Sequence, residues 1–226
     1  MEIRHVLHFV FCVAIAVHSI ADAFGQSRHD FSPVVKIDAN GFTGTGFIVA
    51  KESGLCEIWT NAHVVGSKGE KITVRFFDGQ RATGEVAWSQ LDREANIDAA
   101  KIIASCPDSF MVNPLIVGRS SRTNSIGIVD GWPLGRWQVS KPIRKDKRGS
   151  SFGTSYQPIS FKGESGSPVT DIKTGKVIGV STWNVGPERR PLFSAFQPIE
   201  NWTGEDHSVE ISFDYEYRPI GIRSSE

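Results

Sequence analysis

The strongest constraint on the fold is the spacing of short strand-like runs. From Val34 onward, β-branched or alternating stretches follow one another between turns: "VVKI", "GTGFIVA", "EIWTNAHVV", "ITVRFF", "GEVAWS", "IDAAKIIA", "SIGIVDGW", "KVIGVSTW" and "LFSAFQPI". Short strands at such spacing predict an all-β sandwich or barrel, and no long helix-period segment competes with them. "ESG", "GSKGE", "FDGQ" and "KTGK" each carry a glycine suited to a hairpin or turn. Six runs precede "CPDSFMVNP", Cys106 to Pro114, which marks a coarse boundary. With 226 residues, 39% of them hydrophobic, the chain suffices for one sizeable domain or two small barrels packed together.

The amino terminus reads as a secretory signal. Arg4 and His5 precede the apolar run Val6 to Val17, and "ADA" at Ala21 to Ala23 has the small-x-small pattern of a cleavage site, so cleavage is expected after Ala23. The run is short for a membrane span, which needs about 20 apolar residues, and an uncleaved anchor is the alternative. Lys plus Arg and Asp plus Glu balance at 25 each, which gives no global attraction to nucleic acid or to an anionic membrane. Cys12 lies in the leader, leaving Cys56 and Cys106, an even number for an oxidising compartment. Without a CxxC or a nearby His pair, they do not suggest zinc, and no metal or cofactor is expected.

Two later segments read as peripheral. "KPIRKDKRGSSFG", Lys141 to Gly153, is charged enough for an exposed, solvated loop. The tail "SVEISFDYEY" alternates strictly, placing Val209, Ile211, Phe213, Tyr215 and Tyr217 on one face of an added edge strand. It leaves no room for a further folded domain in this chain. A segment that covers substrate or binds a partner is the other reading of the tail. "NWT" at Asn201 matches a glycosylation sequon, meaningful only in a eukaryotic secretory pathway.

Reactive side chains fall at three strand ends. His63 closes the run "IWTNAHVV", Asp98 opens "IDAAKIIA", and Ser165 and Ser167 lie in the turn "FKGESGSPV". Acyl transfer through a serine needs a base within hydrogen-bond reach and an acid that fixes the base's tautomer. The order His, Asp, Ser is one of the few in which such a triad recurs. The GxSxG elbow of α/β-hydrolases fails, because Ser167 stands where its last glycine belongs.

These motifs resemble the chymotrypsin-like serine peptidases, most closely the bacterial HtrA-like protease domain without its PDZ module. "TGTGFIVA" is similar to the family's Gly-x-Gly-Phe strand, "TNAHVV" to its histidine motif, "IDAAKI" to its aspartate motif and "GESGSPV" to its nucleophile loop. "KVIGVST" and "LFSAFQPI" resemble the strands beside the substrate pocket, so the likeness covers roughly Val34 to Trp202. It implies two packed six-stranded antiparallel Greek-key barrels, residues 24–112 and 113–203, after a leader at 1–23 and before an extension at 204–226.

The resemblance also implies roles. His63 is the general base, Asp98 its orienter and Ser165 the nucleophile, with an oxyanion hole from the N–H groups of Gly163 and Ser165. Ser181, Thr182, Trp183 and Asn184 correspond to the strand that pairs with substrate backbone, while Ile159, Ser160 and Ala195 line the pocket for the residue before the cut. With no carboxylate there, small or apolar residues are expected at that position. In the family's first barrel the strand leading to the histidine pairs with the strand leaving the aspartate, which brings Cys56 opposite Cys106 and predicts a disulfide worth about 3–4 kcal/mol. Two buried free thiols are the other reading.

Two residues depart from the family pattern. Glu164 replaces the usual Asp or Asn and is expected to pair with a base such as Lys162, with no zymogen-type amino terminus to receive. Ser167 replaces a glycine, so either the turn differs locally or the site is less well formed. The implied partner is a polypeptide substrate and the compartment is secreted or periplasmic, while the oligomeric state stays open. Two other functions share the same sequence features: a catalytically silent binding protein and a hydrolase of non-peptide esters.

Overall fold

The computed structural model describes residue 30 and residues 32–92, 94–106, 110–118, 126–135, 139–145, 154–185, 193–198, 217–219 and 222–223. Two closed six-stranded antiparallel barrels dominate. The first uses β1 (Val34–Ala39), β2 (Phe42–Glu52), β3 (Leu55–Thr60), β4 (Lys71–Arg75), β5 (Arg81–Asp92) and β6 (Ile97–Ser105). Their order is β1-β4-β5-β6-β3-β2, closed by β1–β2 pairing. The second uses β7 (Ile126–Gly131), β8 (Val139–Lys145), β9 (Thr154–Gln157), β10 (Pro168–Asp171), β11 (Val177–Val185) and β12 (Phe193–Pro198). Their order is β10-β7-β8-β9-β12-β11, closed by β10–β11. β13 (Tyr217–Pro219) adds to β11, and β14 (Ile222–Arg223) adds to β2.

All six runs read before Cys106 become strands of the first barrel; β4 and part of β5 alternate as a wall with one wet face requires, while β2 is buried on both faces from Thr43 to Ile48. In β4, Ile72 and Val74 point inward between exposed Lys71 and Thr73. They join Ile37, Ile58, Val86 and Ile102 in one buried cluster, each side chain worth about 1.5–3 kcal/mol when fully removed from water. The second barrel encloses a smaller cluster, Val129, Ile143, Tyr156, Val169, Ile178 and Phe196. A third cluster joins the barrels: Phe47, Trp59 and Ala99 from the first meet Val177 and Val180 of β11.

Three features differ from the sequence reading. The run "EIWTNAHVV" is not one strand: β3 ends at Thr60, Asn61 stays extended at φ −84° and ψ 146°, and Ala62–Val65 form a single helical turn, α1. The cause is Asn61, whose buried amide donates to Asp98 O at 2.7 Å and to Thr182 Oγ1 at 3.2 Å, drawing the chain out of the ladder. The charged stretch from Lys141 is not a loop at its start, since Lys141–Lys145 belong to β8; residues 146–153 lie outside the described residues. β8 is a strand because Ile143 enters the core and Lys141 turns toward a buried carboxylate. β9 and β10 correspond to no run in the reading, and of the alternating tail only Tyr217 lies among the described residues, opening β13. No helix among the described residues is long and apolar enough to cross a membrane.

Cys56 and Cys106 form a disulfide, with Cα atoms 5.3 Å apart. The bridge is diagonal: Cys56 sits opposite Ala104, while Cys106 lies just beyond β6 and donates its N–H to Gly54 O at 2.8 Å. It closes a loop of 50 residues that contains the His63 turn and Asp98. Replacing both cysteines by alanine is expected to lower unfolding free energy by about 3–4 kcal/mol, read from urea denaturation, with a larger m-value because the unlinked denatured chain exposes more surface.

Candidate active site

β3 and β6 run side by side, Thr60 opposite Ala100, so the residues just past one strand and at the start of the other meet at the same end of the ladder. That end holds His63 on α1 and Asp98 on β6. His63 Nδ1 lies 2.5 Å from Asp98 Oδ2, and the His63 backbone N–H donates to Asp98 Oδ1 at 3.0 Å. Asp98 is fully buried. A carboxylate removed from water needs such partners on both oxygens, and this pair fixes the ring with Nδ1 toward the acid and Nε2 away from it.

The backbone around Asp98 is held from the second barrel as well. Gln197 of β12 accepts the Asp98 N–H through Oε1 at 3.2 Å and donates through Nε2 to Asn96 O. Asn61 bridges Asp98 O and Thr182. The Thr182 hydroxyl donates to Val180 O at 2.8 Å, so this predicted substrate-strand residue has its side chain turned beneath the His63 turn. Neither Asn61 nor Gln197 was singled out from the sequence, though "TNAHVV" and "FQPI" contain them.

The turn Phe161–Glu164 closes with the Glu164 N–H on Phe161 O at 3.1 Å, and Gly163 takes φ +92°. A positive φ at the third residue is the requirement of a type II turn, which points the central carbonyl to one side and the next N–H to the other. Here Lys162 O accepts the Leu134 N–H at 2.6 Å, so the Gly163 N–H of that trans peptide is directed the opposite way. A side chain cannot replace this glycine: a β-carbon there would lie 2.4 Å from Trp132 O. On the far side of the same residue, Thr45 Oγ1 donates to Gly163 O at 2.7 Å and Thr45 N–H donates to Ser165 O at 2.8 Å.

Ser165 is fully buried, and its Oγ makes no hydrogen bond among the described residues. Its place relative to His63 is marked by Gly44, where a β-carbon would sit 2.5 Å from Val64 Cγ1 and 3.1 Å from Ser165 O; Val64 is the neighbour of His63. Ser167 lies elsewhere, its Oγ 2.2 Å from where Gly131 of β7 would carry a β-carbon. The positive φ of this bend falls on Gly166, at +85°, and not on Ser167, so the serine in a glycine's place imposes no left-handed backbone.

Glu164 does not pair with Lys162. Its Oε2 receives Lys141 Nζ of β8 at 2.7 Å and the Phe161 N–H at 2.8 Å, and Lys141 also donates to Ile159 O at 3.1 Å. Lys141 is an internal cation reaching the buried acid next to Ser165, whereas Lys162 is exposed. The predicted pocket residues also gather here. Ser160, Ser181 and Ala195 are buried, and Ile159 and Asn184 are half-buried. Tyr156 OH bonds Ser160 Oγ, and Ser181 Oγ at 2.7 Å, and burial pushes the Tyr156 hydroxyl above the ordinary tyrosine range, with the Glu164 charge adding to it. Ser194 Oγ accepts the Ser160 N–H at 2.6 Å and donates to Asn184 Oδ1 at 2.5 Å. The wall is therefore neutral and hydroxyl-rich. Trp183 pairs through its backbone with Ala195 on one side and Pro219 on the other.

Comparison with known proteins agrees with this architecture. The chain is 27% identical over 191 residues to the serine protease Do-like HtrA of Bacillus subtilis, covering 77% of this chain and 40% of that protein. Among solved structures, the Rv3671c protease of M. tuberculosis in an inactive form superposes with a TM-score of 0.56 at 22% identity, covering 76% of this chain and 86% of that one. A serine endoprotease from Yersinia pestis gives 0.61 at 18% identity, covering 78% and 62%. Residues 44–180, which hold His63, Asp98 and Ser165, match the trypsin-like peptidase domain, and the chain belongs to that family.

Proposed function

We propose that the protein is an exported serine endopeptidase in which Ser165 is the nucleophile, His63 the general base, and Asp98 the residue that fixes and stabilises the protonated imidazole. The observation that carries this reading is the buried Asp98 carboxylate bonded to both the ring and the backbone of His63. In the first step Ser165 Oγ forms a bond to the scissile carbonyl carbon while its proton passes to His63 Nε2. The carbonyl π electrons move to oxygen, which receives the N–H groups of Gly163 and Ser165. Collapse expels the amine, which takes the proton back from His63, and water repeats the sequence on the acyl-enzyme.

The type II geometry at Gly163 supports the oxyanion role, because the N–H is aimed before substrate arrives; such a donor is typically worth a factor of about 100 or more in turnover. Glu164 and Lys141 hold that turn from behind. The neutral wall of Ser160, Ala195 and Tyr156 offers no counter-charge for Lys or Arg, which supports a preference for small or apolar residues before the cut. The Cys56–Cys106 bridge supports a secreted or periplasmic location.

Fluorophosphonate labelling followed by peptide mass mapping is expected to give one adduct, on Ser165, absent from the Ser165→Ala and His63→Ala variants. Absence of an adduct on folded protein would overturn the enzyme reading, and an adduct on Ser167 would reassign the nucleophile. Peptides with Ala or Val before the cut are expected to show kcat/KM at least about tenfold above those with Lys or Arg, since an unpaired charge in a neutral pocket is strongly disfavoured. Lys141→Met strands the Glu164 charge and is expected to cost about 3–5 kcal/mol of stability, measured by urea denaturation. Adding Glu164→Gln to that variant is expected to recover part of the loss, because the buried group is then neutral.

A further inference from the structure

Each barrel contains one strand whose neighbour ends early. β11 runs to Val185, but β10 pairs with it no further along than Val180, and Gly166 and Ser167 bond it only as far as Ser181, so Trp183–Val185 have one side uncovered by the barrel. β2 begins at Phe42, but β3 pairs with it only from Phe47 onward. The C-terminal segment meets both edges. Tyr217, Arg218 and Pro219 pair antiparallel with Val185, Asn184 and Trp183, and Ile222 and Arg223 pair with Thr43 and Phe42.

These two edges flank Ser165. The Gly166 N–H donates to Ser181 O, two residues before Trp183, and the Thr45 N–H donates to Ser165 O, two residues after Thr43. From Pro219 to Ile222 is three peptide steps, a reach of at most about 11 Å. The two docking points therefore lie within that distance of each other, one on each barrel, with Ser165 bonded to the strand behind one and its neighbour Gly166 to the strand behind the other.

We propose that Tyr217–Arg223 is a built-in occupant of the peptide cleft that holds the protein in a self-blocked state until a substrate strand displaces it. The inference rests on the peptidase reading for its regulatory meaning, and on strand pairing alone for the docking. A peptide that adds beside Trp183 and Asn184 needs the same main-chain groups that β13 uses, so the two exclude each other. Tethering gives the segment a high effective concentration at the cleft. Its ladder is short, three residues on one barrel and two on the other, and Pro219 brings no N–H to it. An extended peptide with a full set of N–H groups pairs with the same edge more completely, so the block is displaceable by unfolded or strand-forming polypeptide.

The test compares the full chain with a chain ending at Glu216 and with the full-length Arg218→Pro/Ile222→Pro variant, which keeps every following residue but places a proline in each pairing. Amide hydrogen exchange in a Ser165→Ala background reads docking without catalysis: Trp183–Val185 and Phe42–Thr43 are expected to exchange faster in both altered chains. With Ser165 present, the fluorophosphonate labelling rate is expected to rise about tenfold if the segment is docked in roughly nine molecules of ten. A synthetic peptide of residues 217–223 is expected to slow labelling of the shortened chain again. Unchanged exchange would overturn the inference, and faster exchange with unchanged labelling would overturn the block. Faster exchange with no labelling of any form would uphold the docking and overturn the peptidase reading instead.

Discussion

The site depends on one buried threonine. Thr45 of β2 is completely enclosed, and each of its polar groups is committed. Its N–H goes to Ser165 O at 2.8 Å, its hydroxyl goes to Gly163 O at 2.7 Å and receives the Trp132 N–H at 3.0 Å, and its carbonyl receives the Thr60 hydroxyl at 2.6 Å. A strand of the first barrel is thus bonded to the turn that carries Ser165, to the end of β7, and to the strand that leads to His63. Leaving any of these groups unmade in the interior costs about 1–3 kcal/mol, so the barrels cannot slide without losing several at once. The relative placement of His63 and Ser165 follows from that lock.

A second constraint acts from the other face of the same turn. Glu164 is fully buried, and a carboxylate in that position is tolerable only with charge-assisted partners. Lys141 supplies the charge from β8, and the Phe161 N–H supplies a bond within the turn itself. Thr45 and Lys141 therefore hold the Gly163 peptide between them. The outcome is a backbone N–H aimed by structure already in place, which is the condition under which a dipole lowers a barrier without reorganising.

The first barrel was legible in the sequence because its strands either alternate, as β4 does, or form β-branched runs long enough to stand out between glycine-bearing turns, as β2 and β6 do. β8, β9 and β10 were not, for separate reasons. β10, "PVTD", is buried at all four positions and shows no alternation. β9 is four residues long, and β8 carries charges that look solvated until the acid across the barrel is known. His63, Asp98 and the two serines could be named because their side chains are chemically distinctive. Thr45, Asn61, Lys141 and Gln197 could not, because their importance lies in partners 118, 37, 23 and 99 residues away, and nothing local marks a threonine that will meet Gly163.

A closed barrel has no edges only if its strands end together. Here they do not: β11 outruns β10, and β2 starts ahead of its pairing with β3. Both overhangs occur where the barrels face Ser165, and an unpaired strand edge demands a partner. A peptide substrate of the proposed peptidase would satisfy that demand, and the chain's own carboxyl-terminal segment does so by lying antiparallel with its main chain presented. Under the proposed function, the feature that would let the cleft accept an extended peptide, recognition through backbone groups that all sequences share, is the one that opens it to self-occupation. What separates the two occupants is the length of ladder each can build, and a segment interrupted by Pro219 builds a short one.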